Sequence, residues 1–403
     1  IPPLPLNPEQ TRRLCEMLED PPEQERELLL ELLEQRVPPG VDEAARVKAD
    51  FLGEVARGET TCLVLTRERA VELLGTMRGG YNVAHLLQAL QDQQLAGVAA
   101  KALAHTIFIF DELDQVRALA DQGNDAAREV LESWAEAGWF REKPEVPQEI
   151  AAVVYKVDGE INTDDLSPAS HATTRPDIPL HALAMGEKRF PGGIEKIHAL
   201  RAESGLPVAF VGDVVGTGSS RKSACNSLIW HIGEDIENVP NKRRGGLILG
   251  GVIAPIFFNT AEDSGALPIQ CDVSGLETGQ KIRIRPHEGK VLDERGEVIT
   301  EFEAKPPSLL DEYRAGGRVP LIAGKQLTAR VRGQLGLGPL KLFVEPPVVQ
   351  HDGVGFTLAQ KIVGRAAGLD GVHPGTACLP KMASVGSQDT TGPMTRDEVK
   401  ELA

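Results

Sequence analysis

Residues 207–222 read Pro-Val-Ala-Phe-Val-Gly-Asp-Val-Val-Gly-Thr-Gly-Ser-Ser-Arg-Lys, and this stretch decides the fold of the region around it. The apolar run at its start predicts a strand, and the glycines after it let the backbone turn sharply into a helix. The N-terminus of a helix offers unpaired N–H groups and the positive end of the helix dipole. A strand, a glycine turn and a helix in this order therefore predict an anion site at the turn.

The side chains of the turn suit a carboxylate or a phosphate. Arg221 carries a planar guanidinium group that can bind a carboxylate through two N–H groups. Ser219 and Ser220 can donate hydrogen bonds, and a serine can act as a base if its alkoxide is stabilised. The glycine spacing is neither the Gly-x-Gly-x-x-Gly of dinucleotide-binding folds nor a phosphate-binding loop that ends in Gly-Lys-Ser/Thr. A purely structural interpretation, a Ser-capped helix with glycines for the turn, fits the same residues.

Two further polar clusters are candidate sites. One reads Asn-Thr-Asp-Asp-Leu-Ser-Pro at residues 162–168 and is followed by Arg175-Pro176-Asp177. The other reads Ser-Val-Gly-Ser-Gln-Asp-Thr-Thr-Gly-Pro at residues 384–393. Taken alone, the first is also consistent with an Asx-type turn capped by Asp, and the second with an ordinary polar loop.

The region around the quoted stretch alternates between strand and helix patterns. Helical runs follow Ser219 and Pro255. Apolar or alternating runs predict further strands at residues 152–157, 246–249, 281–285 and 297–300. The last two flank the turn residues 293–296, which predicts a β-hairpin. Together these elements predict a compact α/β domain.

The segment before it, to about Phe140, is predicted to be helical. Apolar residues recur at helical spacing within residues 27–33 and 70–77, with Thr66 as an N-cap and Gly79-Gly80 as a stop. Further helices are predicted at residues 83–90 and 98–104. Short helices joined by tight turns favour antiparallel pairs stacked as in an α-solenoid. The composition changes near residues 142–147, where we expect a domain boundary.

A Gly/Pro-rich linker follows residue 336 and leads to a helix predicted at residues 356–363. The chain stops at Ala403, soon after the third polar cluster. We therefore expect this last domain to be incomplete.

Composition restricts the classes of function. The formal net charge of −16 disfavours nonspecific attraction to nucleic acids or acidic membranes, and the basic residues 241–244 are interpreted as a solvated turn. No apolar run approaches the roughly 20 residues of a membrane span. The cysteines lack metal-ligand spacing and suit reduced thiols in a cytoplasmic protein, so we predict no metal site from Cys15, Cys62, Cys225, Cys271 and Cys378.

Taken together, the three clusters resemble the B type of the aconitate hydratase family. The similarity rests on Thr-Asp-Asp-Leu-Ser-Pro at 163–168 with Arg175, Gly-Thr-Gly-Ser-Ser-Arg at 216–221 and Ser-Gln-Asp-Thr-Thr-Gly-Pro-Met-Thr at 387–395. Residues 36–44, 73–77 and 253–260 are similar as well, so the resemblance covers nearly the whole chain from about Leu6. It implies four segments: a HEAT-like helical stack (1–145), an α/β swivel domain of β/β/α type (151–335), a linker (336–352) and the beginning of an α/β catalytic body (353–403).

The resemblance also implies a reaction, a hydro-lyase step of the tricarboxylic acid cycle. Citrate and isocitrate interconvert through cis-aconitate, and hydration of 2-methyl-cis-aconitate lies within the same family. A [4Fe–4S] cluster binds the substrate in the full-length enzyme, and its ligands are expected beyond this chain, so we expect the 403 residues alone to bind no cluster and to be inactive.

Site residues follow by position in the matching motifs. The resemblance assigns the catalytic base to Ser219, with Asp164 in the polar network around it. It assigns contacts with the substrate to Arg175, Ser219, Ser220, Arg221, Gln388, Asp389 and Thr390.

Two other functions fit parts of the chain. The helical stack of this family is associated with homodimer formation and, in the cluster-free form, with mRNA binding, which gives an interaction module as the alternative function. A related hydro-lyase acting on isopropylmalate or homoaconitate shares the swivel domain, but it does not explain the helical segment. No membrane partner is expected.

Overall fold

Helices make up the first part of the chain. The computed structural model describes residues 5–36, 42–109, 112–171, 177–218, 222–345, 349 and 353–384. Residues 5–141, called the helical region below, contain α1 (Pro8–Glu19), α2 (Arg26–Glu34), α3 (Glu43–Arg57), α4 (Arg67–Thr76), α5 (Val83–Ala89), α6 (Ala96–Ala104), α7 (Glu112–Asp121), α8 (Asp125–Ala135) and α9 (Gly138–Arg141). The helical prediction is confirmed, and so is the N-cap Thr66, whose side chain accepts a hydrogen bond from the Arg69 N–H.

The helices of this region pack in a row. Helix α3 lies between α1 and α4, α4 contacts α6, and α6 contacts α8. Each contributes an apolar stripe to one continuous core, in which Leu18, Leu52, Leu74, Leu103 and Trp134 are fully buried. The Trp134 indole N–H donates to the Leu103 carbonyl oxygen at 3.0 Å, so the large ring is buried without an unpaired donor.

Residues 150–334, called the α/β region below, surround a mixed sheet. The strands of this sheet are β1 (Ile150–Asn162), β2 (Val208–Thr217), β5 (Leu247–Ile253), β6 (Leu267–Gln270), β7 (Lys281–Arg285), β8 (Lys290–Leu292) and β9 (Val298–Glu301). Two further strands, β3 (Glu234–Ile236) and β4 (Val239–Arg244), form a separate antiparallel pair. The helices are α10 (Thr163–Leu166), α11 (Ile178–Ala182), α12 (Gly193–Ser204), α13 (Lys222–Ile232), α14 (Pro255–Asp263), α15 (Leu309–Ala315) and α16 (Arg318–Gln334), and α17 (Leu358–Ala366) follows the region.

The sheet has the strand order β6-β5-β2-β1-β7-β8-β9. Strands β6, β5, β2 and β1 are parallel, whereas β7, β8 and β9 join in antiparallel pairs. Alternate residues of β1 face opposite cores: Val153 and Tyr155 pack with α12, α13 and α14, and Ala152 and Val154 pack toward α15. Because both faces are covered, the central strands read as continuous apolar runs.

Two local predictions are wrong. The predicted hairpin omits β8: β7 pairs with β8, and β8 then pairs with β9 across the turn at 293–296. The basic residues 241–244 belong to β4 and not to a solvated turn. The charge of these residues suggested full contact with solvent, but Arg243 has partners within the protein. Its guanidinium stacks over the Trp230 ring at 4.7 Å from the ring centroid, and its Nε donates to Asp235 Oδ1 at 2.7 Å.

Helix α16 returns from the α/β region to the helical region. Its residues Leu327 and Val331 are buried in the core of the first helices. The Thr328 hydroxyl accepts from the Trp139 indole N–H at 3.0 Å and donates to the Trp134 carbonyl oxygen at 2.8 Å. A Cβ atom at Gly324 would lie 2.3 Å from the Trp139 ring, so α16 can approach this closely only with glycine there. The two regions therefore share a buried, hydrogen-bonded contact.

Within the described ranges, no helix is both long enough and apolar enough to cross a lipid bilayer.

Two carboxyl groups meet in the interior where α14, α15 and α16 join. Glu262 is 2% exposed and Glu312 is 4% exposed. Burial, followed by the charge of Glu312 and a hydrogen bond to it, raises the pKa of Glu262 to about 8. The Ser308 hydroxyl donates to Glu312 Oε1 at 2.7 Å, and Arg318 forms a two-pronged ion pair with the neighbouring Asp263. Burial and the neighbouring carboxyl therefore favour the protonated form of Glu262 in the folded protein.

We expect this pair to make stability depend on pH. The pKa of Glu262 rises from 4.5 to about 8 on folding, so the folded state keeps a proton that the unfolded state has lost within this window. Stability contributed by the group is complete below pH 4.5 and falls as pH rises toward 8, by at most about 1.4 kcal/mol per pH unit. Urea unfolding of E262Q should show a shallower pH dependence and greater stability than the unmodified protein at pH 8.

The control is E203Q, because Glu203 is an exposed residue of α12 and its removal should leave the pH slope unchanged. An E262Q slope equal to that of the unmodified protein would contradict the assignment.

Candidate active site

Two loops lie side by side at the carboxyl ends of β1 and β2. The strands pair in parallel, and the register places Asn162 opposite Thr217. Helix α10 begins directly after β1, and the glycine turn follows β2. The polar cluster 162–168 and the end of β2 up to Gly218 are therefore brought to one edge of the sheet. Parallel α/β sheets bind ligands at this edge, beyond the carboxyl ends of the strands.

The approach of the two loops depends on glycine. Gly218 has a φ of +89°, and a Cβ atom there would lie 3.5 Å from Thr163 Oγ1 and 3.8 Å from the Asn162 Cβ. Gly216 has a φ of +79°, and a Cβ atom there would lie 2.2 Å from Cγ of Phe257 in α14. A side chain at position 216 would therefore be strained and would also collide with α14.

A reciprocal cap fixes the loop after β1. Asn162 Oδ1 accepts from the Asp165 N–H at 2.9 Å, and Asp165 Oδ2 accepts from the Asn162 N–H at 2.9 Å. The expected cap by Asp is therefore corrected, since Asn162 is the N-cap of α10 and Asp165 completes the box. Asp164, which is not used in this cap, is exposed and accepts from the Ala169 N–H at 3.3 Å.

A chain of hydrogen bonds connects the two loops from behind. The Ser167 side chain is fully buried, with its hydroxyl 2.6 Å from Nε2 of His181 in α11, and it donates to the Ser223 hydroxyl at 2.7 Å. Ser223 lies in the first turn of α13. This chain holds the N-terminus of α13 against the loop that carries Asp164.

One buried hydroxyl beside the glycine turn has no partner. Thr163 is 2% exposed, and its Oγ1 makes no hydrogen bond within the described ranges. Such a group costs stability unless something completes its hydrogen bonding. It lies next to Gly218, where the two loops approach each other.

Most of the predicted site residues lie outside the described ranges. This applies to Arg175, Ser219, Ser220, Arg221, Gln388, Asp389 and Thr390. Their chain neighbours are described in two cases: Gly218 and Lys222 flank residues 219–221, and His171 and Asp177 flank residues 172–176. Asp177 caps α11, whose His181 contacts Ser167.

Sequence reasoning did not identify His181 and Ser223 as parts of this arrangement. Neither carries a local pattern, because their partner Ser167 is 14 and 56 residues away in sequence. A buried polar residue of this kind becomes visible only when the fold brings its partner to it.

Three buried cysteines, Cys15, Cys225 and Cys271, do not suit an iron–sulfur cluster. Cys225 is completely buried in α13, and burial raises the pKa of its thiol to about 12. Burial also raises the thiol pKa of Cys15 to about 12 and of Cys271 to about 11, whereas a cluster requires thiolates. Among the residues the structure describes, no three His, Cys, Asp or Glu side chains are grouped so as to hold a metal ion.

Comparison with protein families identifies the chain's relatives. The family model described as "Aconitate hydratase 2 N-terminus" matches residues 152–356, about half of the chain. A second model, "Aconitate B N-terminal domain", matches residues 1–140. An α/β region with two polar loops at one sheet edge, preceded by a packed row of helices, thus has the features of the N-terminal part of an aconitase. The chain belongs to the aconitate hydratase 2 N-terminus family.

Individual relatives agree with this assignment. Aconitate hydratase B of Synechocystis sp. is 61% identical over 405 residues, which cover 100% of this chain and 46% of the relative. Aconitate hydratase B of Escherichia coli is 55% identical over 414 residues, which cover 100% of this chain and 48% of the relative. The small subunit of 3-isopropylmalate dehydratase from Deinococcus deserti is 29% identical over 164 residues, 39% of this chain and 77% of that subunit.

The chain thus spans about half the length of the aconitate hydratases that it matches. The family descriptions and the relatives' names mention neither RNA nor self-association. The alternative function of an interaction module, with mRNA or a second copy as the partner, therefore has no support from these likenesses.

We expect Ser167 and Ser223 to act as an energetic unit. In S167A the His181 ring and the Ser223 hydroxyl lose a buried partner, which should lower the free energy of unfolding by about 1–3 kcal/mol. The S167A/S223A double variant should lose less than the sum of the two single losses, because the single changes remove the same contact. Chemical denaturation of the four proteins measures this coupling.

S170A serves as the control, since Ser170 is exposed just after the same loop and its removal should change stability by less than about 0.5 kcal/mol. Strictly additive losses at positions 167 and 223 would disprove the coupling.

Proposed function

We propose that this protein is an aconitate hydratase, a hydro-lyase of the tricarboxylic acid cycle in the cytoplasm. It interconverts citrate and isocitrate through cis-aconitate, and we extend the proposal to hydration of 2-methyl-cis-aconitate. The observation that carries the proposal is the meeting of the 162–168 loop, the end of β2 at Gly216–Gly218 and the start of α13 at one sheet edge. Relatives named aconitate hydratase B, similar over the whole chain, support the choice of substrate class.

The substrate dictates what the site must provide. Citrate carries three carboxylates, so the site needs several cations and N–H donors. We assign carboxylate binding to Arg221 and Arg175, with the N-terminus of α13 adding N–H groups and the positive end of its dipole. The Ser167–Ser223 hydrogen bond supports this assignment, because it fixes the first turn of α13 next to the loop that carries Asp164.

We assign the proton transfer to Ser219. Its alkoxide would take a proton from a substrate carbon as hydroxide leaves from the adjacent carbon, which forms the double bond of cis-aconitate. The abstracted proton and the departing hydroxide together account for the water that is lost. Readdition of water at the other carbon gives the isomer. An alkoxide is credible only among positive charges and N–H donors, which is the environment proposed for this turn.

The other assigned residues complete the pocket. Ser220 would donate a hydrogen bond to the substrate, and Asp164 would belong to the polar network around it. We assign Gln388, Asp389 and Thr390 to substrate contacts from the catalytic body. An iron–sulfur cluster would act as a Lewis acid on the departing hydroxyl. We assign substrate binding and proton transfer to the residues of this chain.

The proposed function is accompanied by a proposed division of the chain. Residues 1–145 form a HEAT-like stack, residues 151–335 a swivel domain, residues 336–352 a linker and residues 353–403 the beginning of the catalytic body. The packed row of helices supports the first assignment, and the mixed sheet with helices packed on both faces supports the second. The contact between Trp139 of the first segment and Thr328 in α16 of the second lies at the junction of these two segments.

We predict that S219A in the full-length enzyme loses most of its citrate turnover. Removal of a general base lowers kcat by about 100- to 10,000-fold, whereas carboxylate binding by the arginines is kept, so KM should change little. The formation of cis-aconitate is followed by its ultraviolet absorbance, with citrate and with isocitrate as substrates.

S170A is the matched control and should retain full turnover, because Ser170 is an exposed serine outside the proposed pocket. If S219A folds normally and turns over citrate at the rate of the unmodified enzyme, Ser219 is not the base. If the unmodified enzyme with an intact cluster produces no cis-aconitate from either substrate, the proposed function itself is wrong.

A further inference from the structure

A second concave region lies at the junction between the helical region and the segments that follow it. The cavity has a volume of about 300 Å³ and is lined by the loop after α4, the end of α6, Trp139 and Lys143. This volume is at the lower end of the range for small-molecule pockets. Arg36 and Arg78 also line it, and none of its described lining residues is Asp or Glu. Three cations therefore face one cavity with no carboxylate on its described wall.

These cations retain donors that the protein does not use. Arg36 donates one hydrogen bond, from Nη1 to the Thr76 carbonyl oxygen at 3.1 Å, and Lys143 donates one to the Ala315 carbonyl oxygen. Arg78 has no hydrogen bond or ion pair in the described ranges, although its guanidinium offers five N–H groups. The backbone N–H groups of Gly79 and Gly80, in the same loop, find no protein acceptor there either. The donors around the cavity thus exceed the acceptors.

Repulsion between the cations makes their close approach around the cavity energetically unfavourable. Burial and then the charges of Arg78 and Arg244 lower the pKa of Lys143 to about 8. Burial and then the charge of Arg244 lower the pKa of Arg78 in the same direction. One carboxylate, Glu237, attracts Arg36 at longer range, but the two form no ion pair within the described part of the chain. A bound anion would reduce the repulsion between these groups.

Another cavity shows the usual arrangement by contrast. It has a volume of about 480 Å³, and it contains Arg201 and Arg243 together with Glu234 and Asp235 on the same wall. Asp235 accepts from Arg243 at 2.7 Å. Its cations are balanced by the protein itself, whereas those of the 300 Å³ cavity are not.

We propose that the cavity lined by Arg36, Arg78 and Lys143 binds a small anion that carries two or more phosphate or carboxylate groups. Two guanidinium forks can each bind one anionic group through paired N–H bonds, and the lysine adds a point charge. The exposed glycine loop provides backbone N–H groups and no side chain to fill the space. This site is additional to the proposed catalytic function and does not rest on it.

The test uses inorganic pyrophosphate as the probe and the full-length protein, by calorimetric titration at low ionic strength. We expect binding in the millimolar range or tighter. R78Q removes a cation that holds no structural hydrogen bond, so it should fold normally and bind at least about 10-fold more weakly. K143Q is the second variant and should weaken binding in the same direction.

R13Q is the matched control, because Arg13 is an exposed arginine of α1 away from the cavity and its loss changes net charge equally. R13Q should bind pyrophosphate as the unmodified protein does. Malonate added as a competitor then identifies the accepted chemistry: displacement of pyrophosphate shows that carboxylates bind, and no displacement restricts the site to phosphates.

Two results would overturn the proposal. One is the absence of pyrophosphate binding to the unmodified protein in the millimolar range. The other is an equal loss of binding in R78Q and R13Q, which would show a response to net charge and not to this cavity. Neither result bears on citrate turnover, so failure of this site is distinguishable from failure of the proposed catalysis.

Discussion

The parallel pairing of β1 with β2 is the constraint on which the rest of the candidate site depends. Its register places Asn162 opposite Thr217, so the two loops leave the sheet at the same height. A slip by one residue would turn the apolar faces of both strands over and move Phe210 and Tyr155 out of their shared core. Because burial on both faces forbids that slip, the hydrophobic core itself aligns the polar loops. The positions of the polar loops at this edge therefore depend on the packing of core residues several positions earlier in β1 and β2.

The hydrogen-bonded chain behind the loops adds precision that the sheet alone cannot supply. Strand pairing aligns backbones, but α13 is connected to β2 only through a short turn. Ser167 fixes the first turn of α13 by its bond to Ser223, and His181 holds Ser167 in turn. Ser167 and His181 are buried and Ser223 is half-buried, whereas Asp164 is exposed on the same loop as Ser167. A buried polar framework thus supports an exposed polar surface, an arrangement that suits preorganised binding.

Much of this architecture follows from local sequence. The strands β1, β2 and β5 were predictable because burial on both faces of the sheet gives continuous apolar runs. The N-cap role of Thr66 was predictable because a capping side chain bonds to a backbone N–H within its own turn. Strand β8 has only three residues, too few for the alternation of apolar and polar residues that marks a strand to be recognised. Residues 241–244 looked solvated because their charge is local, whereas the partners Trp230 and Asp235 come from other elements. The contact of His181 with Ser167 was not predicted for the same reason, because residues distant in sequence form it and no local sequence pattern indicates it.

Net charge gives a further example of a global property that does not determine local chemistry. The chain carries a formal charge of −16, which taken alone disfavours anions. Charges at the surface are screened beyond about 10 Å at moderate salt, so an anion responds mainly to the groups nearest to it. At the junction of the two regions those groups are Arg36, Arg78 and Lys143. Arg36 and Lys143 are half-buried and Arg78 is exposed, so an anion in the cavity would lie close to all three. An acidic protein can therefore contain a locally basic surface, and only the folded arrangement reveals it.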